Sequence, residues 1–174
     1  RKITAEVGDG WVPATRPPSL YAKQVEELNE FAVKAGRTPE NVEKYLYLIT
    51  SMDRDREAAY KAIEPIRHAL IWFNVLAEAG YDVRIPEKYR GLDYGSVIPT
   101  DENMKQLFRE MGQYYSREIL LDFTLTGNVD DCLEKLKQYE NAGVNHVIIA
   151  NFSPNPRWAL ETFAKEILPH FREK

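Results

Sequence analysis

Asn128-Val-Asp-Asp131, the run Cys132 to Ala142, then Gly143 and Val144-Asn-His-Val-Ile-Ile-Ala150 form the stretch whose reading decides the fold. Asn128 with an acid three residues later is a capping-box-like helix start. Leu133, Leu136 and Tyr139 recur at helical spacing and face inward. Gly143 closes the helix. Val147, Ile148 and Ile149 are consecutive and β-branched, which a pleated, buried surface favours. Asn151-Phe-Ser-Pro-Asn155 is a polar loop, and Arg157 to Phe171 reads as a final amphipathic helix with Trp158, Leu160, Phe163, Ala164 and Ile167 on one side. A helix, a strand and a helix in this order make one crossover of a parallel sheet.

Working outward, the same order occurs twice more. Gly10 to Thr15 reads as a short strand, with Pro13 confined to a position that needs no ladder bond. Leu20 to Ala35 follows as a helix, with Val25, Leu28, Phe31 and Ala32 as its buried stripe and Gly36 as its stop. Thr38-Pro39 opens at most one helical turn. Tyr45 to Ser51 is apolar on both faces, as a helix-covered parallel strand should be. A helix begins near Glu57 and runs towards Ala79 and Gly80, kinked or split at Pro65. Tyr81 to Pro99 is irregular and aromatic-rich, Asp101 to Tyr115 is helical, and Ile119 to Thr124 fits either a helix end or a strand. The fold class is therefore α/β. Three strand–helix units do not close a barrel, and Lys2 to Val7 reads as the last turn of a helix. The expectation is the carboxy-terminal part of a larger enzyme, or a short chain that needs a partner.

Composition narrows the function. A net charge of -4 sets this chain apart from nucleic-acid binders, which carry a basic stripe. Its 23 Lys and Arg are interleaved with 27 acids along helix faces, as on solvated surfaces. The single Cys132 permits no internal disulfide and no cysteine cluster, which fits a reducing, cytoplasmic setting. The longest apolar run, Ala69 to Phe73, falls far short of the roughly 20 residues of a membrane helix. No two of His68, His146 and His170 stand at metal-ligand spacing, and all three read as structural or exposed. No glycine-rich phosphate loop and no nucleophile elbow occur.

Two stretches carry a resemblance. One is Ala5-Glu-Val-Gly-Asp-Gly-Trp-Val-Pro13, a helix end, a turn and a strand. The other is Thr126-Gly-Asn-Val-Asp-Asp131, Tyr139-Glu-Asn-Ala-Gly143, the strand Val144 to Ile149 and Phe163-Ala-Lys-Glu-Ile-Leu-Pro169. With Gly36-Arg-Thr-Pro39 between them, this order resembles the carboxy-terminal part of the bacterial luciferase-like monooxygenase superfamily. That group holds flavin-dependent monooxygenases and deazaflavin-dependent methylenetetrahydromethanopterin reductases, and the chain is more similar to the reductase-like branch. The resemblance implies a (β/α)8 TIM barrel of about 250 residues. Gly10–Ala14 would be strand 6, Tyr45–Ser51 strand 7 and Val144–Ala150 strand 8, with residues 81–126 an insertion between strands 7 and 8 and strands 1 to 5 outside the chain.

It also implies a cofactor, deazaflavin (coenzyme F420) or FMN, and hydride transfer or monooxygenation on a small-molecule substrate. In a barrel the chemistry gathers at the carboxyl ends of the strands. The implied cofactor-binding residues there are Pro13, Ala14, Thr15 and Arg16, then Ser51, then Asn151. A hydroxyl and a guanidinium side by side suit a phosphate or carboxylate. Against this, Thr15 reads also as a helix cap, Arg16 as a solvent-facing loop residue, Ser51 as the cap of the following helix and Asn151 as part of a polar turn. The implied partner is the amino-terminal part of the barrel, or a second copy of the chain. A reading from another class is a non-catalytic, truncated barrel relative that binds a ligand or serves assembly.

Overall fold

The computed structural model describes residues 1–67, 73–81, 109–110 and 112–171. Its axis is β2 (Glu43–Met52), and every other strand among these residues pairs with it in parallel. The start of β2 pairs with β1 (Gly10–Trp11), with Gly10 opposite Glu43. Its length pairs with β4 (His146–Asn151), from Tyr45 opposite His146 to Thr50 opposite Asn151. Its end pairs with β3 (Leu125–Gly127), with Met52 opposite Gly127.

Alternation along a strand sorts these neighbours into two edges. Glu43 N donates to Asp9 O, Tyr47 N to Pro13 O and Asp53 N to Gly127 O. Asn145 N donates to Lys44 O and Phe152 N to Thr50 O. Successive residues of a strand aim their backbone groups to opposite sides. Odd-numbered residues of β2 thus serve the edge shared by β1 and β3, and even-numbered ones serve β4. The sheet is parallel, as the strand–helix order requires. The ladder of β1 is shorter than the Gly10–Thr15 reading, because Pro13 brings no N–H and contributes only its carbonyl.

The helices are α1 (Lys2–Val7), α2 (Pro18–Lys34), α3 (Arg56–Ile63), α4 (Phe73–Glu78), α5 (Arg117–Phe123), α6 (Val129–Asn141) and α7 (Pro156–Thr162). Pro65 splits the long helix: α3 ends at Ile63 and a 3-10 turn, Glu64–Ile66, follows. The last helix is not uniform. After α7 it widens to a π-turn over Phe163–Ile167 and tightens to 3-10 over Leu168–Phe171. The buried side of this segment is Ala159, Thr162, Phe163 and Ile167, and Leu160 and Ala164 are exposed, against the inward placement read from the sequence. Ile119 to Phe123 resolves as helix with Thr124 as its extended C-cap, and the strand lies just beyond as β3. Most of the 81–126 stretch and His68 lie outside the described residues.

Two cores result. On one face of the sheet, Leu46, Leu48 and Met52 pack with Trp11, Tyr21 and Leu28 and with Leu136 and Tyr139. On the opposite face a Cβ on Gly10 would stand 2.8 Å from the Tyr45 ring, so a larger residue there would have to displace that side chain. On the other face, Ile49 packs with Tyr60 and Ile63 of α3 and with Ile119, Leu120 and Phe123 of α5. Below Ile49 this second face is open: Val12 is 54% exposed, Tyr47 41% and Ile148 43%.

Candidate functional site at the carboxyl end of the sheet

Ligands of parallel α/β sheets bind outside the carboxyl ends of the strands. Those ends are Pro13–Arg16 after β1, Asp53–Asp55 after β2, Asn128 after β3 and Phe152–Asn155 after β4. Pro13 is buried and Ala14 exposed. Thr15 and Arg16 are both buried, so neither the solvent-facing reading of Arg16 nor the cap reading of Thr15 holds. Pro17 occupies the N-cap of α2.

Arg16 is a guanidinium inside the fold. Its Nε donates to Ala14 O at 2.8 Å and its Nη1 to Gln24 Oε1, and it lies 5.4 Å from the centroid of the Trp11 ring. Gln24 passes the contact on to Glu78 Oε2 at 2.6 Å. Burial pulls the Arg16 pKa down to about 10, against the upward pull of the Glu78 carboxylate. Arg16 therefore stays cationic at neutral pH.

The Thr15 hydroxyl donates to Phe123 O, at the last turn of α5. Ser51 is fully buried and donates to Ala59 O at 2.7 Å. The cap of α3 is Asp55, which accepts from Glu57 N at 2.9 Å, so Ser51 is a strand-to-helix tie and not the cap the sequence implies. Asn151 shapes its own loop, donating to Pro156 O and accepting from Ser153 N. Ser153 Oγ accepts from Met52 N at 2.8 Å and ties that loop to β2. Phe152 lies partly exposed beside it.

Sequence reading missed three residues of this region: Gln24, Lys135 and Tyr139. The Tyr139 hydroxyl donates to Arg16 O at 2.7 Å. Lys135 Nζ donates to Leu121 O, to Asp122 O at 2.7 Å and to Thr124 O at 2.9 Å. Burial lowers the Lys135 pKa to about 8, against the pull of Asp122. A signal was present: Lys135 stands next to Leu136 and one turn before Tyr139, on the inward side of α6.

Two hollows lie among these elements, one of them beside the site. One, of about 290 Å³, is lined by Arg56, Arg117, Leu121, Thr126, Gly127 and Asp131. Both of its arginines are paired, Arg56 with Asp131 at 2.6 Å and Arg117 with Glu57 at 2.7 Å. The other, an apolar groove of about 230 Å³ between α6, β4 and the final helix, opens on the helix side, away from the carboxyl ends. No group of three His, Cys, Asp or Glu is placed to hold a metal among the described residues. Among these residues no helix is long and apolar enough to cross a membrane.

Residues 1–146 match the family described as luciferase-like monooxygenase. The chain belongs to this family. A relative within reach is the 5,10-methylenetetrahydromethanopterin reductase of Methanopyrus kandleri, 25% identical over 99% of this chain and 48% of its own. The solved structure of the coenzyme F420 dependent tetrahydromethanopterin reductase from Methanopyrus kandleri superposes with a TM-score of 0.74 at 22% identity, covering 98% of this chain and 48% of that one. An F420-dependent secondary alcohol dehydrogenase, solved with an F420-acetone adduct, superposes with a TM-score of 0.74 at 19% identity over 99% of this chain and 46% of that one. The family assignment and the α/β barrel likeness bear out the resemblance read from Ala5–Pro13 and Thr126–Pro169. The chain spans about half the length of the relatives it matches.

Proposed function

We propose that the protein containing this chain is a deazaflavin-dependent oxidoreductase, and that the chain is the carboxy-terminal part of its barrel. The reading rests above all on one observation: nearly the whole chain aligns with an F420-dependent reductase. In it β1, β2 and β4 are strands 6, 7 and 8, residues 81–126 form the insertion between strands 7 and 8, and the protein works in the cytoplasm. Two features support the strand assignment. The three strands are parallel neighbours in chain order, and β1 and β4 lie on opposite edges of β2, so a barrel would continue from both.

The residues present fit one wall of a site for such a cofactor. Ala14 and Phe152 offer apolar surface at the carboxyl ends, where a flat ring could lie. Arg16 keeps its charge beside Ala14, and an anionic tail needs a fixed cation. The cofactor, when bound, supplies the hydride chemistry. The chain's own part is to bind and orient: Pro13 and Ala14 shape the floor, Arg16 holds charge, and Ser51 and Asn151 set the two loops beside them. FMN is the alternative cofactor, and the substrate is a small molecule.

The test is titration of the full-length protein with F420 and, separately, with FMN, followed by fluorescence. F420 binding that weakens about ten- to a hundredfold in Arg16→Ala supports the reading, the size expected for a charged hydrogen bond. Tight binding of FMN alone would move the assignment to the flavin branch. Binding of neither would favour a non-catalytic relative.

A further inference from the structure

A helix leaves its last carbonyls without partners inside the helix. At the end of α5 these carbonyls are taken up by two side chains from distant parts of the chain. Lys135 of α6 donates to the carbonyls of Leu121, Asp122 and Thr124. Thr15, beyond β1, donates to the one between them, Phe123. Ammonium and hydroxyl thus close a single turn of backbone together, and the negative end of the helix dipole meets a cation. One turn along α6 from Lys135, Tyr139 donates to the carbonyl of Arg16. The Thr15–Arg16 segment is consequently held from α6 twice, directly by Tyr139 and indirectly through the end of α5.

Surface caps do not look like this. An exposed lysine near a helix end contributes little and can be replaced freely. Lys135 instead has its head group among three carbonyls, packed beside Cys132, whose thiol burial pushes up to about 12. If Lys135 is removed, the acceptors it serves must find water, and the turn that receives the Thr15 hydroxyl is free to shift. A shift of a binding segment lowers affinity without removing any residue that touches the ligand.

We propose that Lys135 is a positioning residue for the Thr15–Arg16 segment, acting through the carboxyl end of α5. This rests on the reading of that segment as cofactor-facing.

The experiment measures the dissociation constant of F420 in the full-length protein by fluorescence for wild type, Lys135→Met, Thr15→Val and the double variant. Lys135→Met is expected to weaken binding about five- to tenfold. The double variant should be no more than about twofold worse than the weaker single variant, because both act through one turn. Lys135→Gln, which keeps a donor, should recover part of the loss, and it takes the place of Lys135→Met if that variant does not fold. A dissociation constant within about twofold of wild type in the folded variant overturns the proposal while leaving the cofactor reading intact. So do effects that multiply in the double variant, the signature of independent sites. A wild-type protein that binds no F420 removes the cofactor reading and this proposal together, before any substitution is made.

Discussion

Three buried phenols show how little a single residue reveals outside its fold. Tyr21 donates to Tyr45 O at 2.9 Å, Tyr139 to Arg16 O at 2.7 Å, and Tyr115 lies in the second core. Burial pushes all three above the ordinary phenol value. A folded-state value raised above the unfolded one contributes stability that is complete below the unfolded value of about 10 and is lost as pH rises beyond it. Above about pH 10 the denaturant midpoint should therefore fall less steeply with pH in Tyr139→Phe than in the wild type. Identical pH profiles for the wild type and Tyr139→Phe would contradict the burial of this hydroxyl. From sequence, Tyr139 could be placed inward by its spacing, and Pro13–Arg16 by its position after a strand. Their partners could not, since the Thr15 hydroxyl meets a carbonyl 108 residues away. Local periodicity says which side chains turn inward and nothing about what meets them.

Elements whose signals are local were legible. The capping box of α6 is real: Asn128 accepts from Asp131 N, and Asp131 accepts from Asn128 N, both at 3.0 Å. Pro65 breaks its helix where a missing N–H says it should. The strand β3 was not legible, because three residues following a helix offer no window in which alternation can be seen. Gly127 at its end links the two cases. Its φ of +149° suits glycine, and a Cβ there would stand 2.5 Å from Asp131 Oδ2. Gly127→Ala should thus displace the Asp131 carboxylate, open the capping box and loosen the Arg56 pair that spans α3 and α6. The expected loss is about 2 kcal/mol, the sum of backbone strain and a weakened cap. Chemical denaturation would measure it, and a loss below about 0.5 kcal/mol would show that the carboxylate moves aside freely.

At the scale of the molecule, the α/β class and the parallel order could be read from the alternation of strand and helix. The open face was legible in the same count, since three strand–helix units leave a sheet without its opposite wall, but which residues line it was not, because β-branched residues look the same whether or not a wall covers them. Val12, Tyr47 and Ile148 share that face, and β1 and β4 carry unpaired edges among the described residues. Covering apolar surface is worth about 25 cal/mol per Å2, and free edges pair with whatever strand is offered. Residues 1–174 on their own are expected to associate, with light scattering showing mass above that of one chain, and Ile148→Lys should shift them towards monomer. A dilute, strictly monomeric sample with a sharp thermal transition would refute this. The geometry of β2 has a further consequence for isotope exchange. Its odd-numbered amides face β1 and β3, its even-numbered amides face β4. Deuterium uptake read amide by amide along this one strand would thus report separately on its two flanks: alternate positions would lose protection together when one neighbour peels away, while the residues between them stay dark.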